Sequence, residues 1–198
     1  NKKSHDDFAK RFFGGREGDW GEVTYEFEDV VRALNAIHPH DWATFLRQRL
    51  QTPGQPAPAG GIERAGYKLV WRDTPNAYDK ARMAMSKSYD LTHSLGLTID
   101  KNDIAGGILW DGPAFRADIV NGTKIVAVDG VAYSRERLET AIKAAADGKT
   151  PVRLLVERGG RYRDVSIDYH GGLRWPWLER TGTGPDWFDR LFAAKRSL

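Results

Sequence analysis

The stretch from Ser94 to Gly130 constrains the fold most, because short apolar runs alternate there with turn signals. The runs at residues 95–99 and 107–110 flank a polar turn, a pattern typical of two paired strands. A further apolar run at 125–128 ends in Asp129-Gly130. Asp-Gly between apolar segments is a strong hairpin signal, because both central turn residues need positive φ. This stretch therefore predicts a small antiparallel sheet.

The composition is that of a globular protein with room for one or two domains. The chain has 198 residues, of which 40% are hydrophobic and seven are Trp. The 30 basic and 27 acidic residues are spread along the chain, so no block favours nucleic-acid binding. The absence of cysteine excludes disulfides and thiolate metal ligands. No apolar run is long enough to predict a membrane span.

Residues 1–50 predict three short helices. Ser4 and Asp7 form a capping box before the first helix, and Asp41 caps the third. Between them, apolar side chains repeat at helical spacing from Phe27 to Ile37. Three helices this short must pack on each other or on further protein.

The segment QTPGQPAPAGG at residues 51–61 predicts a linker, and we place a domain boundary there. Residues 67–72 predict a strand. Residues 76–87 stay open, since their apolar spacing suits a helix but no capping residue is evident.

The second half predicts a helix, a hairpin and a tail that folds back. Ser134 caps a helix, and the alternating strands that follow are joined by Gly159-Gly160. The tail contains Trp175-Pro176-Trp177, which is too apolar to stay exposed. Asp186 caps a last short helix.

Four motifs in this second half carry a resemblance. They are SLGL at 94–97, DGPA at 111–114, ADI at 117–119 and GTKIVAVDG at 122–130, and in this order they resemble a bacterial PDZ domain. Ser94 and Thr123 depart from the usual pattern, which often has glycine and aspartate there. The resemblance implies a PDZ domain at residues 88–170, which is a partly open β-barrel with flanking helices.

A longer resemblance covers nearly the whole chain. The segments SHDDFAKRFFG, VTYEFEDVVRALNAIHPHDWATFLRQRL, AGYKLVWRDTP and DYHGGLRWPWLER, with SLGL among them, are similar to the C-terminal region of the M61 family of glycyl aminopeptidases. The resemblance implies an α+β chain in which residues 1–60 are the helical end of a thermolysin-like catalytic domain. A connecting segment (61–87), the PDZ domain (88–170) and a tail with a short helix (171–198) would follow.

The implied activity of the parent family is zinc-dependent removal of N-terminal glycine, and less readily alanine, from peptides. None of the five histidines belongs to a His-Glu-x-x-His motif. We therefore expect a fragment that is inactive alone, with its zinc site upstream of Asn1 in the remainder of the catalytic domain. No catalytic or metal-binding residue is predicted in this chain. The family resemblance favours a periplasmic or secreted location.

A PDZ domain implies a groove that binds a peptide or protein C-terminus. By resemblance, Leu95, Gly96 and Leu97 would form the carboxylate-binding loop, Thr98 and Ile99 the docking strand, and Arg135, Leu138 and Ile142 the opposite helical wall. This reading requires an open sheet edge beside Gly96, with free backbone donors.

Two other functions are weighed against peptide binding. The domain could be structural: it could cap the catalytic domain or pair two subunits, with its groove filled by its own tail. An autonomous enzyme is the third possibility, and only the histidines favour it. Of these, His38-Pro39-His40 lies at a helix stop without a third ligand close in sequence, as in an ordinary loop.

Overall fold

The chain divides into two units, residues 1–58 (the helical unit) and residues 59–198 (the mixed unit). The structure is a computed structural model that describes residues 3–54, 57–182 and 186–193. The division falls in the Pro/Gly-rich segment, of which residues 55 and 56 lie outside the described residues.

In its described residues, the helical unit forms three helices, α1 (His5–Phe13), α2 (Phe27–Ile37) and α3 (Trp42–Gln51). The capping box of Ser4 and Asp7 is present, and the Asp41 side chain accepts a hydrogen bond from Thr44 N–H, so both predicted caps are confirmed. Aromatic side chains contact one another across the helices, as Phe12 and Tyr25 do at 5.1 Å between ring centroids. None of the described side chains of this unit is buried.

The described residues of the mixed unit form fourteen elements, and all the strand pairs among them are antiparallel. In chain order they are α4 (Gly60–Arg64), β1 (Tyr67–Arg72), α5 (Ala77–Ser86), β2 (Tyr89–Asp90), β3 (Thr98–Ile99), β4 (Ala105–Gly106), α6 (Pro113–Arg116), β5 (Lys124–Val128), β6 (Val131–Ala132), α7 (Arg135–Ala145), β7 (Val152–Arg158), β8 (Arg161–Ile167), β9 (Trp175–Arg180) and α8 (Trp187–Phe192). The strand orders are β2-β3-β4, β6-β5-β7-β8 and β1-β9.

Local sequence signals explain most of these elements. Asp129 and Gly130 both have positive φ, at 49° and 77°, in the predicted hairpin turn between β5 and β6. Gly159 and Gly160 make the turn between β7 and β8, and Ser134 caps α7. Each of these predictions is confirmed.

One segment differs from the sequence prediction, and a second was left open by the sequence and is assigned by the structure. The strand expected at residues 107–110 is wrong: the paired residues are Ala105 and Gly106, and Gly107 turns the chain away at φ 56°. The open segment 76–87 is helix α5, because the Asn76 side chain accepts a hydrogen bond from Asp79 N–H at 2.9 Å and caps it.

The core of the mixed unit lies between the sheets and α7. Its fully buried large side chains include Leu91, Leu95, Leu97, Ile99, Ile119, Ile125, Leu138, Ile142, Val152, Val156 and Ile167. Backbone hydrogen bonds join the sheets, from Ala105 N–H to Thr123 O at 2.7 Å and from Ile125 N–H to Asp103 O at 2.8 Å.

The tail folds back, as predicted. Strand β9 pairs with β1, and the Trp175 side chain is buried in the core. The predicted connecting segment and the predicted tail therefore each contribute one strand, β1 and β9, to a pair within one unit. No helix among the described residues is long and apolar enough to cross a membrane.

Candidate functional site

The candidate site is built around the bend at Gly96. This residue has φ 78°, where glycine is favoured, and a Cβ added here would lie 3.4 Å from Gly112 Cα, Leu109 Cβ and Pro113 Cδ. The bend is also tied to the 109–114 loop, because Leu109 N–H donates to Gly96 O at 2.8 Å. Residues 94–97 therefore hold a fixed shape and lead directly into β3.

The edge of β3 beside this bend is already paired. Strand β2 lies antiparallel to it, with Tyr89 opposite Ile99 and Asp90 opposite Thr98. This corrects the expectation of an open sheet edge. Residues 88–93 had no predicted element, and the backbone of Tyr89–Asp90 lies beside β3, where the PDZ reading places a ligand.

The backbone donors of the bend serve the same internal segment. Gly96 N–H and Ser94 N–H each donate to Leu91 O at 3.0 Å, and Leu91 N–H donates to Leu97 O at 2.9 Å. The Leu91 carbonyl thus takes the place expected for a terminal carboxylate. The prediction that Gly96 N–H is free is wrong for this structure, because the chain itself supplies the acceptor.

Side chains of residues 89–91 alternate between two environments, as they do along a strand. Leu91 and Tyr89 are buried, at 1% and 4% exposure, and belong to the core cluster with Leu138 and Ile142. Asp90, between them, accepts hydrogen bonds from Arg82 of α5 and from Thr92 N–H. The segment from Tyr89 to Leu91 (the internal segment) therefore presents two apolar side chains to the interior and one carboxylate to α5.

An aromatic–charge contact lies between the internal segment and α7. The Arg135 guanidinium carbon lies 4.0 Å from the centroid of the Tyr89 ring, and Arg135 Nε donates to Glu139 Oε1 at 2.9 Å. Burial raises the pKa of Tyr89 far above its usual range, with the nearby Glu139 charge adding to the shift. Among the described residues, the Tyr89 hydroxyl is a buried side-chain polar atom with no hydrogen-bond partner.

Helix α5 anchors the internal segment through a charge cluster. Arg82 pairs with both Asp79 and Asp90, and the two carboxylates are buried while the Arg82 side chain is 44% exposed. Burial acts to raise the pKa of Asp90, but hydrogen bonds from Arg82 and from Thr92 outweigh it and lower the pKa. Asp90 is therefore ionised and paired near neutral pH.

The predicted site residues lie close together, but the side chains of most of them are buried in the core. Leu95, Leu97, Ile99, Leu138 and Ile142 are each 2% exposed or less, so in this structure they do not line an open pocket. Thr98 is half-buried beside Asp90, and Arg135 contacts the internal segment.

Sequence reasoning missed four residues, Arg82, Tyr89, Asp90 and Leu91. A signal was present, since Tyr89 and Leu91 are apolar residues two apart, just ahead of the SLGL motif. A run this short did not stand out as a strand.

The histidines form no metal site. No group of three or more His, Asp or Glu residues in the described part of the chain could hold a metal ion. The His93 ring lies 5.0 Å from the Trp71 ring, between centroids, and His40 lies 5.0 Å from Trp42.

No family model and no curated protein matches the chain. Among solved structures, it is similar to the HtrA3 PDZ domain bound to a phage-derived ligand (FGRWV), at 16% sequence identity, covering 57% of this chain and 92% of that chain. The TM-score is 0.27, which is too low to equate the two folds.

Proposed function

We propose that the space between β3 and α7, which the segment Tyr89–Leu91 fills in this structure, is a peptide-recognition groove of the PDZ type that binds an extended chain end as an added strand. One observation carries the proposal. An extended segment already lies antiparallel to β3, and its last carbonyl, that of Leu91, accepts a hydrogen bond from Gly96 N–H. Strand addition supplies affinity through backbone hydrogen bonds, and alternate side chains supply specificity.

A terminal carboxylate suits the bend better than the internal carbonyl does. Hydrogen bonds to a charged group contribute roughly 1.5–3 kcal/mol, against roughly 0.5–1.5 kcal/mol between neutral groups. Gly96 N–H and Ser94 N–H both point at Leu91 O, so one peptide carboxylate could accept from two donors. The site can thus bind an anionic chain end without a cationic side chain.

A peptide library tests this proposal. Hexapeptides with free C-termini, and the same sequences with amidated C-termini, are titrated into the isotope-labelled chain while the amide resonances of Gly96 and Leu97 are followed. We expect shifts from carboxylate peptides, and affinities about tenfold weaker for their amides, equivalent to about 1.4 kcal/mol. The absence of shifts with any peptide at millimolar concentration contradicts the proposal.

A structural role is the second candidate. The pairing of β2 with β3 and the Arg82–Asp90 contact favour it, because both keep the groove occupied by the chain itself. The occupant differs from the tail considered at the level of sequence, since β9 pairs with β1 instead. On this reading the groove binds no external peptide, and β2 is a permanent strand of the domain.

The finer proposal is that this chain is the C-terminal part of an M61-like aminopeptidase. Its support is the sequence similarity of several segments together with a helical unit whose described side chains are all at least partly exposed. The zinc site would then belong to the remainder of the catalytic domain. We expect the purified chain to hydrolyse no glycyl anilide, and hydrolysis that a chelator abolishes would contradict this.

A further inference from the structure

The internal segment resembles a bound ligand in three independent respects. Its backbone pairs with β3, its last carbonyl lies on the bend, and its side chains alternate between core and α5. We propose that Tyr89–Leu91 is a tethered mimic of the ligand. The partner is a protein C-terminus whose last three residues are aromatic, acidic and aliphatic, and it binds by displacing the internal segment. This inference rests on the peptide-binding function proposed above.

The two buried side chains define the outer positions of that partner. Leu91 is 1% exposed within the aliphatic cluster that includes Leu97 and Leu138, so the last position takes an aliphatic side chain. The Tyr89 ring lies under the Arg135 guanidinium, a contact that favours an aromatic side chain two positions earlier.

The middle position is defined by a charge. Asp90 pairs with Arg82, which belongs to α5 and not to the internal segment. When the internal segment leaves, Arg82 is freed to pair with an acidic side chain at the same position of the incoming peptide. A free partner can thus reproduce the strand pairing with β3, the contact with the bend and the ion pair with Arg82.

The internal segment is also imperfect as a ligand, which makes it displaceable. Its terminal group is a neutral carbonyl, and only two of its residues pair with β3. The buried Tyr89 hydroxyl has no hydrogen-bond partner among the described residues, and such a group costs about 1–3 kcal/mol. What favours the internal segment is its tether, which holds it at an effective concentration on the order of millimolar.

A cysteine lock tests displacement directly, because the chain has no native cysteine. Asp90→Cys with Thr98→Cys joins residues that lie opposite each other on β2 and β3. The probe is fluorescein-labelled Ser-Tyr-Asp-Leu with a free carboxylate, followed by fluorescence polarisation. We expect the reduced double variant to bind and the oxidised one to lose at least about tenfold in affinity, the equivalent of 1.4 kcal/mol.

The matched control is Arg153→Cys with Ser166→Cys, an opposed pair on β7 and β8 away from the internal segment. Its affinity is expected to be the same in both redox states. Equal affinity of the oxidised and reduced Asp90–Thr98 locks overturns the tethered-ligand inference while leaving peptide binding intact. Absence of binding in every variant and redox state overturns the proposed function itself.

A second variant keeps the inference testable if the cysteine pair does not fold. Asp90→Asn weakens the hold of Arg82 on the internal segment and leaves Arg82 available to the probe. We expect it to raise affinity for Ser-Tyr-Asp-Leu about tenfold, and less for Ser-Tyr-Asn-Leu. The control Asp118→Asn weakens the pair with Arg163, whose side chain is also 44% exposed, and should leave affinity unchanged. Unchanged affinity of Asp90→Asn overturns the inference.

Discussion

At the scale of single residues, the Tyr89 hydroxyl offers the most direct test of the packing beneath α7. It is buried without a hydrogen-bond partner among the described residues, so Tyr89→Phe removes a desolvation cost and keeps the ring. We expect the free energy of unfolding to stay level or rise by up to about 1 kcal/mol.

Tyr169→Phe is the matched control for that substitution. The Tyr169 hydroxyl donates to Gly172 O at 2.8 Å, so its loss should lower the free energy of unfolding by about 1 kcal/mol. Both values come from urea unfolding followed by far-ultraviolet circular dichroism. A similar loss in Tyr89→Phe would show that its hydroxyl is paired.

We expect His170 to make stability depend on pH. Its ring contacts Ala145 O at 2.6 Å, at the last residue of α7, and Asp168 at 2.9 Å, with the Asp147 charge nearby. The Ala145 carbonyl first, and then Asp168, raise the pKa of His170 above its usual value. A raised pKa in the folded state stabilises the fold fully below the unfolded pKa, and this stabilisation is lost as pH rises through the folded pKa.

We therefore expect His170→Gln to destabilise the chain more at about pH 5.5 than at about pH 8.5, on either side of the ordinary histidine pKa. The measurement is urea unfolding of both proteins at the two pH values. Equal differences at both pH values would contradict the assigned contacts.

At the scale of elements, the sequence predicted the helix starts and tight turns, whose signals lie within a few neighbouring residues. Ser4, Asp41 and Ser134 mark helix starts that the structure contains, and Gly159-Gly160 marks a hairpin turn. A cap or a tight turn depends on residues a few positions apart, so one sequence suffices to find it.

The occupant of the candidate groove could not be found in the same way. The SLGL motif correctly indicated the bend, since Gly96 has positive φ. Strand β2 has only two residues, and its pairing with β3 is decided by burial of Tyr89 and Leu91. A peptide and the chain's own backbone make equivalent strand hydrogen bonds, so the motif does not say which of them is present.

Helix α5 gives the prediction at this scale. Asn76 caps it and also donates from Nδ2 to Pro176 O of β9 at 2.8 Å, so one side chain joins two elements. Asn76→Ala should lower the free energy of unfolding by about 2 kcal/mol, from the lost cap and the lost link.

Ser134→Ala, which removes the α7 cap and no contact with another element, should cost about 1 kcal/mol. The two losses are measured by urea unfolding under identical conditions. Equal losses would show that the contact with β9 contributes nothing to stability.

At the scale of the whole molecule, the two units differ in how much they bury. All buried residues of the described chain lie in the mixed unit, whereas the helical unit has helices of 9 to 11 residues and no buried side chain. Isolated helices shorter than about 12–15 residues are marginal in water.

We expect residues 59–198, expressed alone, to unfold in one cooperative transition, and residues 1–58 alone to show none. Thermal unfolding followed by circular dichroism and by tryptophan fluorescence measures both. A cooperative transition in residues 1–58 would contradict this account, as would its absence in residues 59–198.

The pairing of β1 with β9 has a topological consequence. Tyr67 lies opposite Arg180, and Thr181 N–H donates to Gly66 O at 2.8 Å, so the polypeptide enters and leaves this antiparallel pair at one point. A domain with neighbouring entry and exit can be grafted into a single surface loop of another protein without diverting the host backbone. The part of the mixed unit between these strands is thus suited to insertion into a surface loop of another protein.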